Sequence, residues 1–199
     1  RLYTSRIGVY ETFKDEQEAI VLLQVLDGSK DDSQLLGILD HESIKSGKLA
    51  RHMVIVLPNK ASCDALEKLI NERGELFKNL SDYKILNLAG HNTSFRNIEA
   101  VKSAIVASET AGQKTVSLTV NKMLTGTTVP QWDTMIYLKG TASPQEYDQA
   151  IFRLQSPWVE TYVDENTGET IKYDMKPQTL LVDLDPTRLF YLQEIKAFT

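Results

Sequence analysis

The chain has 199 residues, of which 42% are hydrophobic and 25% charged, and a formal net charge of −5. That is an ordinary globular balance with enough chain to bury a sizeable core, and it argues against a globally basic nucleic-acid binder, though a local basic groove remains open. A single cysteine, Cys63, excludes an internal disulfide and suits a reducing cytoplasm. No apolar run approaches the roughly 20 residues of a membrane span, and no signal peptide leads the chain. The start at Arg1, without an initiator methionine, reads as a segment cut from something longer.

In chain order, residues 1–50 read as a helical lead-in and linker. Phe13 to Leu26 carries apolar residues at helical spacing after an acidic first turn. A polar break follows from Asp27, then a short helix over Gln34 to Leu39 and a linker from Ser43 to Lys48. Residues 51–199 form the expected main domain. Met53 to Leu57 is a continuous apolar strand, Pro58-Asn59-Lys60 a turn, and Ala61 to Leu80 a helix. Tyr83 to Leu88 is the next strand, closing in Ala89-Gly90-His91-Asn92, before a helix over Asn97 to Gly112.

Strands follow at Thr115 to Val120 and Thr134 to Leu138. Ser143-Pro144-Gln145-Glu146 gives an N-cap, a proline at the first helical position and a glutamate at the third, a strong helix start. Val159 to Val163 and Thr170 to Tyr173, joined by a Gly168-containing turn, read as a β-hairpin excursion at about 159–175. Thr179 to Leu184 supplies a fifth core strand, and Asp185-Pro186 caps a final helix through about Phe198. Short apolar strands alternating with helices predict an α/β fold built on a parallel sheet.

Three constellations fall where such a sheet binds ligands, outside the carboxyl ends of its strands. The first is Thr119-Val-Asn121-Lys122-Met-Leu-Thr-Gly126-Thr-Thr128-Val-Pro130, a strand end running into a glycine that lets backbone approach a phosphate closely. The second is Gln149-Ala-Ile-Phe-Arg153-Leu-Gln-Ser156, whose glutamine and arginine share one helix face. The third is the Asn59-Lys60 turn, with donors at a helix N-terminus that suit an anion. His91 ends the second strand at the same edge. Trp132 and Trp158 bracket the motifs and read as covers for the domain's edge rather than as base-stacking platforms.

The first two constellations resemble motifs V and VI of superfamily-two (DEAD/DEAH-box) helicases and DNA translocases, and their wording is most similar to the motor subunits of type I and type III restriction enzymes. The resemblance covers residues 51–158 well and 176–199 loosely. It implies the carboxy-terminal RecA-like domain: a parallel sheet with flanking helices, of the P-loop NTPase kind. It implies that Arg153, with Gln149, serves catalysis by reaching the γ-phosphate held on a second, amino-terminal RecA-like domain of the same polypeptide. Gly126 and Thr128 would lie against the nucleotide, and Asn59, Lys60, His91, Thr119, Asn121 and Lys122 against DNA.

ATP and Mg²⁺ would be held mainly by the partner domain, and methylase or specificity subunits are further implied partners. The sequence departs from the family pattern at two places. Thr128 stands where an aspartate is usual, and Ser156 where a second arginine is usual, which makes Arg188 a spare. No Gly-x-x-x-x-Gly-Lys-Ser/Thr loop occurs, so this chain alone is not expected to hydrolyse ATP. No cysteine–histidine set suggests a metal site. The rival reading is a non-catalytic α/β module that binds a nucleotide or a partner.

Overall fold

The computed structural model describes residues 12–30, 37–91, 93–95, 97–120, 128–140 and 143–185. Its centre is β1 (His52–Leu57), six successive buried residues. A strand can be apolar without alternation only when both faces of its sheet are covered, and here they are. β1 is flanked by β3 (Thr115–Val120) and β4 (Thr134–Tyr137); β2 (Lys84–Asn87) pairs with β3, and β7 (Leu180–Asp183) with β4. The sheet order is β2-β3-β1-β4-β7, and every pairing in it is parallel. The expected α/β arrangement of a parallel sheet with flanking helices is what the chain adopts.

Alternation along the strands sends Met53, Ile55, Val116, Leu118 and Ile136 to one face and Val54, Val56, Met135 and Tyr137 to the other. The first face is covered by α1 (Glu16–Asp27) and α3 (Lys60–Glu72), the second by α4 (Ile98–Thr110) and α5 (Pro144–Leu154). α2 (Glu42–Lys45) is a single turn between α1 and the sheet. The lead-in helix α1 thus shares its core with the sheet: Leu23 and Leu26 are buried with Met53, Leu66 and Phe77. No described helix is long and apolar enough to cross a membrane.

Two elements depart from expectation, the first being α2, which forms where a linker was expected from Ser43 to Lys48. The helix expected over Ala61 to Leu80 ends at Glu72 and gives way to short 3-10 turns at Gly74–Leu76 and Leu80–Asp82. Beyond the first of these turns the chain is held by α1. The buried carboxylate of Asp27 accepts the amides of Lys78 (2.8 Å), Asn79 (3.1 Å) and Leu80 (2.6 Å). Those amides would otherwise bond backward along a helix, so the carboxylate draws the chain into a turn instead.

β5 (Val159–Val163) and β6 (Thr170–Asp174) form the expected hairpin as a separate antiparallel sheet. Asp164 Oδ1 accepts the amides of Asn166 and Thr167, and Gly168 takes a φ of +69°, which closes the loop. The final helix, its spare Arg188, Asn92, and the 121–127 loop carrying Asn121, Lys122 and Gly126 lie outside the described residues, as does the first half of the short helix expected over Gln34 to Leu39, whose described end begins a 3-10 turn at Ile38–Asp40.

Candidate functional site

Parallel register gathers the strand ends on one edge. Leu57 pairs with Val120, the Leu138 amide bonds the Val56 carbonyl, and the Leu88 amide bonds that of Leu118. The Asn59-Lys60 turn, His91 and the end of β3 therefore share the carboxyl edge. α3, α4 and α5 each start there, and each spends its first side-chain acceptor on its own backbone. Asn59 Oδ1 accepts the Ser62 amide at 2.8 Å, Asn97 Oδ1 that of Ala100 at 2.9 Å, and Ser143 Oγ that of Glu146 at 3.3 Å. Asn59 is thus an N-cap, and Lys60 is an exposed residue beside it. Thr119 is buried in β3, on the sheet face that carries α4 and α5.

His91 is held rather than merely solvated. Asp64 Oδ2 lies 2.5 Å from His91 Nδ1 and accepts the His91 amide at 3.1 Å. Asn87, the last residue of β2, donates Nδ2 to Asp64 Oδ1 (3.0 Å) and Glu67 Oε2 (2.8 Å), while its Oδ1 accepts the Gly90 amide (2.8 Å). A Cβ at Gly90 would overlap the side chains of Asp64 and Asn87, so glycine is required by close approach. Asp64 and Asn87 were not legible as site residues, because they meet His91 only after β2 is laid beside α3. Nearby, Lys139 forms a short ion pair with Glu146.

Arg153 and Thr128 come together: Arg153 Nη1 donates to Thr128 Oγ1 at 3.1 Å. The arginine helix therefore touches the segment that carries Thr128. Gln149, one helical turn earlier, is exposed. The position of Arg153 differs from the sequence expectation of a common carboxyl edge. α5 starts at that edge but runs about 16 Å back along the sheet. It ends where Lys176 Nζ donates to both Leu154 O (2.9 Å) and Trp132 O (3.0 Å), two residues ahead of β4. Arg153, on the last turn, thus stands toward the amino-terminal edge of the sheet.

That opposite edge holds a partly buried polar cluster. Arg51 donates to Glu109 Oε1 (3.0 Å) and to the Met175 carbonyl (2.6 Å), with its guanidinium 4.8 Å from the Trp158 ring centroid. His52 bonds Glu109 Oε2 through Nε2 (2.7 Å) and Thr115 Oγ1 through Nδ1 (2.9 Å). A carboxylate can only accept, so Nε2 carries the proton. Burial pushes the His52 imidazole below its ordinary value, against the pull of Glu109, and lowers Lys176 as well. Burial raises Asp133 to about 6, although it accepts the Arg51 amide at 2.9 Å. Both tryptophans are buried, and Trp132 Nε1 donates to Ser117 Oγ at 3.1 Å. Among the described residues, no group of three or more His, Cys, Asp or Glu is placed to hold a metal ion.

With this geometry in place, comparison with known proteins adds one sequence likeness. Over 114 residues, 55% of this chain, it is 32% identical to the C-terminus of a putative type II restriction enzyme and methyltransferase of Mycoplasma pneumoniae. This chain is similar to part of a restriction–modification protein. The match covers only 15% of that relative's length. Among solved structures, the C-terminal part of the Fun30 ATPase domain aligns with 89% of this chain and 53% of its own, at a TM-score of 0.40 and 16% identity. No protein-family model matches the chain.

Proposed function

We propose that this chain is the carboxy-terminal RecA-like domain of an ATP-dependent DNA helicase or translocase belonging to a restriction–modification enzyme. The observation that carries the reading is the contact between Arg153 and Thr128, which couples the two motif-bearing segments. The 114-residue likeness to a restriction enzyme and methyltransferase supports the same class. In this reading Arg153, with Gln149 on the same face, reaches the terminal phosphate of ATP held with Mg²⁺ mainly by a partner RecA-like domain of the same polypeptide. ATP would supply the phosphoryl transfer that drives domain closure and reopening. Because Arg153 stands at the far end of α5, the partner would have to approach the turn at Thr128 and the last turn of that helix. Asn59, Lys60 and His91 would form part of a DNA track on the carboxyl edge, continued by Asn121 and Lys122.

A second reading, the non-catalytic α/β module, draws on the same contact, since an arginine that braces Thr128 has a structural use without any nucleotide. The test is DNA-stimulated ATP hydrolysis by the full-length parent polypeptide, wild type against Arg153→Ala. An arginine acting on the transferring phosphate is worth on the order of 10³–10⁵ in rate, so a loss of a hundredfold or more with ATP binding retained is expected. Unchanged turnover would remove Arg153 from catalysis and direct attention to Arg188. No hydrolysis by the wild type would favour the binding module.

A further inference from the structure

The β5–β6 hairpin has no core of its own and none borrowed from the sheet. Tyr162, Ile171, Tyr173, Val159 and Val163 are each 49–63% exposed. Register puts Tyr162 opposite Ile171 and Tyr173 opposite Glu160, so Tyr162, Ile171 and Tyr173 lie on one face of the ribbon. An isolated two-stranded hairpin is marginal in water, and clustered exposed aromatic and aliphatic side chains mark an interaction surface. The base of this one is nevertheless fixed. The Met175 amide bonds the Trp158 carbonyl at 2.9 Å, Arg51 holds the Met175 carbonyl, and Lys176 is buried against α5. The hairpin is a projection anchored at its base, with an uncovered face.

Its charge selects the occupant. Glu160, Asp164, Glu165, Glu169 and Asp174 stand against Lys172 alone, a net charge of −4 over residues 159–174. That repels a nucleic-acid backbone, and it repels the same hairpin on a second copy of the chain. An apolar centre rimmed by carboxylates complements a protein surface with an apolar centre rimmed by lysine and arginine. The hairpin leaves the sheet five residues after Leu154, beside the end of α5 that carries Arg153. We infer that the hairpin docks, through Tyr162, Ile171 and Tyr173, onto a basic-rimmed apolar surface of the partner domain in the same polypeptide, holding that domain where it can reach Arg153. This rests on the proposed two-domain reading.

The experiment uses the full-length parent and reads structure rather than turnover. Zero-length carbodiimide coupling should join Glu160, Glu165 or Glu169 to lysines outside this chain, and hydroxyl-radical oxidation of Tyr162 and Tyr173 should be slowed at least fivefold relative to the urea-unfolded protein. Replacing Glu165 and Glu169 together by lysine, on a surface with no core contacts, should restore fast oxidation and abolish the cross-links. Tyrosines oxidised as fast as in the unfolded protein, with no such cross-links in the wild type, would overturn the inference. Cross-links between isotopically distinct copies would assign the face to a second copy, and protection appearing only with duplex DNA would assign it to nucleic acid; each also overturns it. A protected, cross-linked hairpin in a parent that lacks DNA-stimulated hydrolysis would sink the motor reading and leave the docking intact. The reverse result would do the opposite.

Discussion

Asp27 shows how one side chain can decide the course of a distant segment. Both of its carboxylate oxygens accept backbone amides, Oδ2 from Lys78 and Oδ1 from Leu80, and Asn79 Nδ2 returns a bond of 2.7 Å to the Asp27 carbonyl. An asparagine could offer one acceptor and would aim its amide hydrogens at backbone donors. Because a buried donor left without an acceptor costs about 1–3 kcal/mol, Asp27→Asn should destabilise the chain by about 2 kcal/mol. Urea unfolding would show this as a lower midpoint at unchanged slope; a variant within about 0.5 kcal/mol of the wild type, the usual range for unimportant surface changes, would mean the carboxylate is dispensable. Asp64 acts similarly on His91, fixing both its amide and its ring.

Elements legible in the sequence were those whose signal is local. β1 reaches nearly its expected limits because a strand buried on both faces reads as a continuous apolar run, β3 because its β-branched residues favour a strand, and α5 starts where Ser143 and Glu146 announce it. The turn at Leu80–Asp82, where the helix was expected to finish, was hidden because Asp27, 51 residues before Lys78, holds it. The position of Arg153 was hidden for a geometric reason: a spacing of four fixes a shared face with Gln149 but does not say how far along the sheet that face lies. The turn at Asn59 was legible as a helix start and ambiguous as an anion site. The two roles separate experimentally. Asn59→Ala removes the bond to Ser62 and should cost about 1 kcal/mol, whereas Asn59→Asp keeps the cap at little cost. If Asn59 also faces a DNA phosphate, the aspartate variant should keep its stability yet bind a duplex several-fold more weakly at low salt in a fluorescence-anisotropy titration. Equal binding by the two proteins would confine Asn59 to capping.

At the scale of the whole molecule, the sheet has two unlike edges. The carboxyl edge collects helix starts and solvent-facing polar groups, while the amino edge joins buried His52, Asp133 and Lys176 to half-buried Arg51 and Glu109 in one network that ties β1, α4, β4 and the base of the hairpin together. Joining so many elements through buried charge makes stability depend on pH, with opposing contributions. Asp133 titrates near 6 in the fold against 3.8 as its ordinary value. Between those values the folded chain binds more protons than the unfolded one, so this group's contribution falls as pH rises from about 4 to about 6 and is constant above. His52 has the opposite sign. Its lowered folded value leaves the unfolded chain with more protons below the ordinary 6.5, so its contribution rises as pH climbs toward 6.5 and is complete above it. The two partly cancel in the wild type, and Asp133→Asn isolates the first, since the amide oxygen can still accept from Arg51. Each tenfold difference in proton affinity between the folded and unfolded chain is worth about 1.4 kcal/mol, so the stability difference, variant minus wild type, should rise by about 2–3 kcal/mol from pH 4 to pH 6 and then level. A difference that stays flat across that window in urea titrations would show that Asp133 keeps its charge at no cost to the fold, with Arg51 and the backbone donors around it compensating fully for burial.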